Sequence, residues 1–275
     1  MTRIAVHQSR TGIDPTTNAA ALVAAIDAAH AGGAAMLFTP ENGNLMDRDR
    51  NRAAAHRRAE ADDPVVAAVR AAAARTGIWV QLGSVGVALD DGRLANRSLL
   101  IDGGGAVRAR YDKMHLFDVD LPDGQSWRES AAYRAGEEAV VADTPAGRIG
   151  LSICYDLRFP ALYQALSAAG ATVLSVPAAF TVPTGQAHWH LLLRARAVET
   201  GCYVVAAAQA GVHADGRETY GRSLVVDPWG DILLDMGDDL GVAFAEIADA
   251  RVAEVRGRIP TLAHRRTIRP ARVCP

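Results

Sequence analysis

Gly150-Leu151-Ser152-Ile153-Cys154-Tyr155-Asp156-Leu157-Arg158-Phe159-Pro160 is the stretch on which the fold turns. An apolar strand runs straight into a cysteine. A turn follows, and then a helix expected over Ala161–Ala169 and ended by Gly170. A strand-to-helix turn holds a nucleophile with its side chain exposed and leaves the next backbone N–H free to face an oxyanion. The competing reading is a buried structural cysteine, the common fate of an unpaired thiol. The segment alone does not separate the two.

Working outward, Val140–Ala142 and Ile149–Ile153 read as strands around the Thr144–Gly147 turn. Thr172–Val176 and Tyr203–Ala208 are buried strands separated by a helix over Ala187–Thr200. Ser223–Asp227, Ile232–Leu234 and Val242–Ile247 are late strands, and Asp249–Arg258 is the last helix, before Pro260. Upstream, Asp112–Ala139 has little periodicity, and a loop of that length is usually functional or disordered. Ile78–Leu82, Val85–Leu89 and Ser98–Ile101 read as strands. Gly83-Ser84-Val85-Gly86 and Gly103-Gly104-Gly105 read as turns. Asn51–Arg75 is mostly helical, interrupted near Asp63-Pro64. Met36–Phe38 and Ile4–Val6 are strands on either side of a helix over Ala19–Ala31. Strand–helix–strand order recurs in both halves, which predicts a mixed α/β sheet covered by helices, and the shared β-α-β rhythm of the halves leaves two stacked sheets of similar build open. No linker is visible, so a single domain over 1–275 is expected.

Composition narrows the function classes. Hydrophobic residues at 49% and charged residues at 22% exclude disorder and coiled coil. Lys+Arg 29 against Asp+Glu 31 lacks the basic excess of a nucleic-acid binder. Cys154, Cys202 and Cys274 are too scattered for a disulfide framework or a metal knuckle, and suit a reducing compartment. No run is apolar enough to span a bilayer, and Met1–Gln8 has no signal-peptide core. A cytoplasmic protein with no membrane contact is expected. No metal motif is present.

A thiol is only a few per cent ionised at neutral pH and needs a base or a cation. His188-Trp189-His190 sits at a predicted helix start and reads as a packed helix face. Two other segments suit better. Phe38-Thr39-Pro40-Glu41-Asn42 puts a carboxylate at the end of a buried strand, where desolvation raises its pKa toward that of a general base. Tyr111-Asp112-Lys113-Met114-His115-Leu116 puts an ammonium after another strand. Each has a plainer reading as a solvated loop charge. His115 reads as a hydrogen-bonded structural histidine before a catalytic acid. The Arg48–Arg58 cluster reads as a solvated helix near the pocket mouth.

Taken together, Pro40-Glu41, Lys113-Met114-His115-Leu116 and Cys154-Tyr155-Asp156-Leu157-Arg158-Phe159-Pro160 resemble the Glu–Lys–Cys signatures of the nitrilase superfamily of carbon–nitrogen hydrolases. The resemblance runs from Ile4 to Pro260. Leu116–Pro122, Trp127–Ser130, Gly185–Trp189, Arg194–Thr200, Cys202–Gln209 and Tyr220–Gly230 are similar to its Nit branch. It implies a four-layer α-β-β-α sandwich and assembly as a homodimer through helices near Cys154 and the C-terminal segment. It also implies a cofactor-free amidase of small α-keto-acid amides, deaminated glutathione among them, releasing ammonia. Omega-amides, N-carbamoyl compounds and aliphatic amides are the alternatives within the superfamily. A non-catalytic scaffold, and acyl transfer to another amine, are the alternatives outside hydrolysis.

The implied roles are Cys154 as nucleophile, Glu41 as general base, and Lys113 with the Tyr155 backbone N–H as oxyanion donors. Glu129 would orient the substrate amide and hold Lys113. Arg158 would bind a substrate carboxylate, or else pair with Asp156, and Phe180 would wall the pocket or pack in the core. Two departures stand out. His190 replaces the glutamate usual after His-Trp, and Asn42–Met46 replaces the usual residues after Pro-Glu. Both are expected near the pocket, where they would alter specificity.

Overall fold

Strand β1 (Thr2–Gln8) shows how the layers are built. Ile4 and Val6 pack inward with residues of a second sheet, whereas Ala5 packs outward against helices. Strand β2 (Met36–Phe38) repeats the pattern, with Met36 and Phe38 inward and Leu37 outward. Successive side chains of a strand face opposite ways, so a strand covered on both faces reads as one unbroken apolar run.

In this computed structural model, which describes residues 1–120, 124 and 126–274, the chain forms an α-β-β-α sandwich. Leu121 and Pro122, at the end of one motif segment, lie outside the described residues. The first sheet adds β3 (Trp79–Ala88), β4 (Leu94–Ile101), β5 (Val107–Asp112) and, from the far end of the chain, β16 (Gly241–Ile247). Its order is β16-β1-β2-β3-β4-β5. The second sheet has the order β15-β14-β11-β10-β9-β8. Its strands are β8 (Val141–Thr144), β9 (Gly147–Leu151), β10 (Val173–Ser175), β11 (Tyr203–Ala206), β14 (Leu224–Val226) and β15 (Ile232–Asp235). Two hairpins stand apart, β6 (Asp118–Asp120) with β7 (Ser126–Arg128), and β12 (Ala210–Val212) with β13 (Glu218–Tyr220).

Helices α1 (Pro15–Ala31) and α3 (Pro64–Thr76) cover the first sheet through Leu22, Ile26, Val65 and Val69. The short α2 (Arg50–Ala54) lies between them in sequence. Helices α4 (Pro160–Ala168) and α5 (Val182–Thr200) cover the second through Leu162, Tyr163, Trp189 and Leu193. Helix α6 (Asp249–Arg258) follows β16 and buries Val252 and Val255.

Several boundaries differ from the sequence reading. Helix α1 begins at Pro15, not Ala19, because the Asp14 carboxylate accepts from the N–H groups of Thr16 and Thr17. Helix α5 begins at Val182, so His188-Trp189-His190 lies in its interior and not at its start. Gly83–Gly86 is not a turn. It is the middle of one continuous strand whose register against β4 slips between Leu82 and Val85. The Asp112–Ala139 stretch holds β6, β7 and a 3-10 turn at Glu129–Ala131.

Candidate active site

Cys154 follows β9 by three residues and opens a 3-10 turn, Cys154–Arg158, that leads into α4. Its φ of 51° lies in the left-handed region, rare outside glycine. Such backbone strain persists only where the surroundings over-determine it. Here the Cys154 N–H donates to Pro177 O at 2.9 Å, and the Asp156 carboxylate accepts from the Ile153 N–H at 2.9 Å. Among the described residues, the next amide, Tyr155 N–H, donates to no protein acceptor.

Asp156 reaches further than its own turn. Its second partner on Oδ2 is the Tyr111 hydroxyl at 2.7 Å. Its Oδ1 accepts from the His115 N–H at 3.0 Å and the His115 ring Nδ1–H at 2.7 Å. A carboxylate only accepts, which fixes the His115 tautomer. Tyr111 and His115 flank Lys113, so one buried carboxylate ties the Cys154 turn to the end of β5. His115 also stacks on Phe159, with ring centroids 3.6 Å apart. It is structural, as its plainer reading expected. The Arg158–Asp156 pair does not form, because Asp156 is already saturated.

Glu41 sits three residues past β2, where Thr39 and Pro40 cross over β3. A side chain at Gly83 would meet Thr39 O at 1.9 Å and Pro40 O at 2.5 Å, so glycine is required at this crossing. The carboxylate is buried. Its Oε1 accepts from Lys113 Nζ and from Asn96 Nδ2, both at 2.9 Å, and its Oε2 accepts from the Ala179 N–H at 2.9 Å. Lys113 is 2% exposed and also donates to Glu129, at 2.9 Å to Oε2 and 3.2 Å to Oε1. Glu129 is steadied by the Phe117 N–H at 2.7 Å.

The electrostatics follow from this packing. Burial pushes the Cys154 thiol pKa well up, the Glu41 carboxylate adds to the rise, and the Lys113 ammonium opposes it. Burial would depress Lys113, but Glu129 and Glu41 overcome it and hold the ammonium well above its ordinary range. Tyr133, nearby, is pushed up to about 12 by burial and by the same two glutamates.

Glu41, Lys113, Glu129, Cys154, Tyr155, Arg158 and Phe180 all line one cavity of about 530 Å³. This lies within the usual range for small-ligand sites. Phe180 also packs on Trp189, with centroids 4.8 Å apart. Arg158 lies over Tyr155 and Phe180 and meets His188 Nδ1 at 3.2 Å. Asn42, Asn44, Leu45 and Met46 line the wall as expected, but His190 does not. Its Nε2 meets Asp235 Oδ2 at 3.0 Å, away from the cavity. Arg48, Arg50 and Arg57 are part of the cavity wall, the first two exposed as expected of a solvated segment near the pocket mouth and Arg57 half-buried.

Sequence reasoning missed Asn96. Its Nδ2 donates to Glu41 at 2.9 Å and to Glu129 at 3.1 Å. The strand read from the sequence begins at Ser98 and leaves Asn96 outside it, whereas β4 begins at Leu94 and buries Asn96, where an asparagine needs partners. Among the described residues no cluster of His, Cys, Asp and Glu has the makings of a metal site, and no helix is long and apolar enough to cross a membrane. Cys202 is buried beside β11 and Cys274 is exposed.

The carbon-nitrogen hydrolase family model matches residues 3–257. The deaminated glutathione amidase of Yersinia enterocolitica is 44% identical over 241 residues, covering 86% of this chain and 83% of that one. The human protein of the same name is 40% identical over 240 residues, 85% and 73% of the respective chains. The crystal structure of the Caenorhabditis elegans NitFhit protein superimposes with a TM-score of 0.89 at 39% identity, over 96% of this chain and 65% of that one.

Proposed function

The chain belongs to the carbon-nitrogen hydrolase family, and from that premise we propose that it is a cysteine-dependent amidase of small α-keto-acid amides, with deaminated glutathione as the preferred type. The observation that carries the reading is the Glu41 carboxylate, fixed by Lys113, Asn96 and the Ala179 N–H on the wall where the Cys154 thiol opens to the cavity. The substrate type rests on the relatives bearing that name and on Arg48, Arg50 and Arg57 of the cavity wall, which have no carboxylate partner among the described residues.

At rest the raised pKa keeps Cys154 a neutral thiol. Glu41 takes its proton as sulfur attacks the amide carbonyl. The Tyr155 N–H and the Lys113 ammonium receive the oxyanion, donors worth roughly 3–4 kcal/mol of barrier each. Glu41 then gives its proton to the departing nitrogen, and a thioester remains. The scissile bond of deaminated glutathione is a secondary amide, so the group that leaves is the amine of cysteinylglycine; ammonia leaves only from primary amides. Glu41 next activates water, which frees the acid and restores the thiol. Glu129 keeps Lys113 in place, and Arg158 receives the carboxylate of the acyl portion. The same thioester serves transfer to an amine, and water is the acceptor we assign.

The protein is further read as one catalytic domain over 1–275, cytoplasmic, cofactor-free and homodimeric. Exposed Leu191 and Val198 on α5, with exposed Trp229, Ile232 and Leu233, support a dimer face there. Arg194 on α5 donates to Gly230 O beside Trp229, at 2.8 Å, which joins the two groups.

The test is release of 2-oxoglutarate from deaminated glutathione and α-ketoglutaramate, and of ammonia from an aliphatic amide, by wild type and Cys154→Ala. Cys154-dependent turnover favouring deaminated glutathione is expected. A preference for another amide overturns the substrate type, and turnover that survives Cys154→Ala overturns the mechanism.

A further inference from the structure

The active-site cavity extends beyond the groups that act on the scissile bond, and its outer wall is rich in donors without acceptors. Among the described residues, Arg217 Nε, Arg57 Nε and Trp127 Nε1 are buried with no hydrogen-bond partner. All three residues line the cavity. Arg and Trp side chains donate only, so none can satisfy another. A buried donor left without an acceptor is unfavourable, so such a wall favours a ligand that supplies acceptors.

The charges are equally lopsided. Arg48 and Arg217 both stand over the Trp127 ring, 5.1 and 4.9 Å from its centroid. Among the described residues, neither Arg48 nor Arg57 has a carboxylate within ion-pairing distance, and Arg217 has only Asp215 at 3.4 Å. Of the other cations on this wall, Lys113 is matched by its two glutamates and Arg128 by Asp120, whereas Arg50 and Arg158 have no carboxylate within ion-pairing distance among the described residues. The carboxylates that remain are Asp47, tied to Arg52 at 2.6 Å, and the exposed Glu218. Burial and the neighbouring Arg48 depress the Arg217 pKa, which Asp215 only partly offsets.

Position separates this group from Arg158. Trp127 lies 6.1 Å from Phe117, and Phe117 lies 5.1 Å from Tyr155, the residue after Cys154. Arg158 stands over Tyr155 at one end of this aromatic row, and Arg48 and Arg217 stand over Trp127 at the other. A ligand lying along the row would have the thiol near one end and, at the other, a cationic recess in which the buried Asp215, 3.4 Å from Arg217, is the one carboxylate beside the arginines among the described residues.

We infer that Arg217 and Arg48, around Trp127, form a second anion subsite that takes a carboxylate on the leaving-group side of the scissile amide. The inference rests on the amidase reading above and deepens it: it assigns the residues that would recognise the free C-terminal carboxylate of the departing cysteinylglycine. A guanidinium pair matches a carboxylate in geometry as well as charge. A primary ω-amide has no group to place there.

The experiment compares kcat/KM for deaminated glutathione and for the same compound capped as its C-terminal amide. Wild type is expected to prefer the free acid by about tenfold or more, the worth of a charged hydrogen bond. Arg217→Gln should bring that ratio close to one, and Arg217→Lys should retain part of it. Arg48 is exposed, so Arg48→Gln keeps the fold and should reduce the ratio to an intermediate value. A wild type without preference, or a ratio that survives both glutamine variants, overturns the inference, and general damage to the fold leaves the ratio intact. If wild type cleaves no α-keto-acid amide, the amidase reading fails on its own. Calorimetric binding of cysteinylglycine and its C-terminal amide then decides the subsite. Acid-selective binding lost in Arg217→Gln upholds it, and equal or absent binding overturns it.

Discussion

Lys113 Nζ lies 2.9 Å from Glu41 Oε1 and 2.9 Å from Glu129 Oε2, one buried ammonium between two carboxylates. The three groups depend on each other. Without the ammonium, two carboxylates would share a desolvated site, and one of them would take up a proton. Lys113→Met should therefore lower unfolding free energy by about 3–5 kcal/mol at pH 8, since an uncompensated buried charge is left behind. The loss should shrink toward pH 5. The raised carboxylate pKa in the folded variant makes the penalty grow as pH climbs above the unfolded value. Turnover should fall roughly 10²–10³-fold for the lost oxyanion donor. Urea denaturation at the two pH values and steady-state kinetics check both parts. A penalty independent of pH would argue against the charge account.

The strained backbone at Cys154 yields a sign reversal. Replacing alanine by glycine normally destabilises by about 0.5–1 kcal/mol. At φ 51° the Cβ is the source of strain, and the side chain faces a cavity already open. Cys154→Gly should therefore match or exceed Cys154→Ala in stability, by up to about 1 kcal/mol. Both variants should be inactive. Chemical denaturation of the pair decides it, and a glycine variant clearly less stable than the alanine one would show that Cys154 is not strained.

Much of this is legible in the sequence. The α/β layering follows from strand–helix alternation, and Glu41, Lys113 and Cys154 each stand at a strand end. What stayed hidden depends on contacts distant in sequence. Nothing in Gly241–Ile247 says that it lies beside β1 and closes the first sheet. Gly83 looks like a turn residue because the chain crossing over it, at Thr39 and Pro40, is more than forty residues away. His190 was placed at the pocket by its neighbours in sequence. A helix turns its side chains through about 100° per residue, so His188 faces Arg158 while His190 faces Asp235. Arg217 and Trp127 lie ninety residues apart and carry no motif that joins them.

Asp156 tests whether the Cys154 turn and the Lys113 segment are held in common. Asp156→Asn keeps the shape but turns one of the two acceptor atoms into a donor. One pair of partners, either Ile153 N–H with Tyr111 or the two His115 donors, then loses its acceptor. Each buried donor stranded in this way costs about 1–3 kcal/mol. Stability should fall by roughly 2–4 kcal/mol, and kcat by about 10–100-fold with a smaller change in KM, because misplacement of reacting groups acts on the transition state. The distinguishing readout is the pH profile of Cys154 alkylation by iodoacetamide. The profile should shift in Asp156→Asn, since the thiol's surroundings include Lys113 and Glu41. An unchanged profile would confine Asp156 to stability alone.

His7, on β1, supplies a pH dependence outside the catalytic groups. Its ring is buried, its Nδ1 has no partner among the described residues, and burial lowers its pKa from 6.5 to about 4. The folded state thus keeps the ring neutral where the unfolded chain would protonate it. The stability tied to this group is complete above pH 6.5, and it is lost as pH falls from 6.5 toward 4, where the folded state also takes up the proton. The full swing is on the order of 3 kcal/mol. His7→Gln removes the titration and should flatten the stability profile between those limits relative to wild type, whatever its effect at neutral pH. Denaturation midpoints at half-unit steps from pH 7 to 4 would show it. Parallel profiles for wild type and variant would mean that the acid sensitivity lies elsewhere, His213 being the next histidine whose pKa burial depresses.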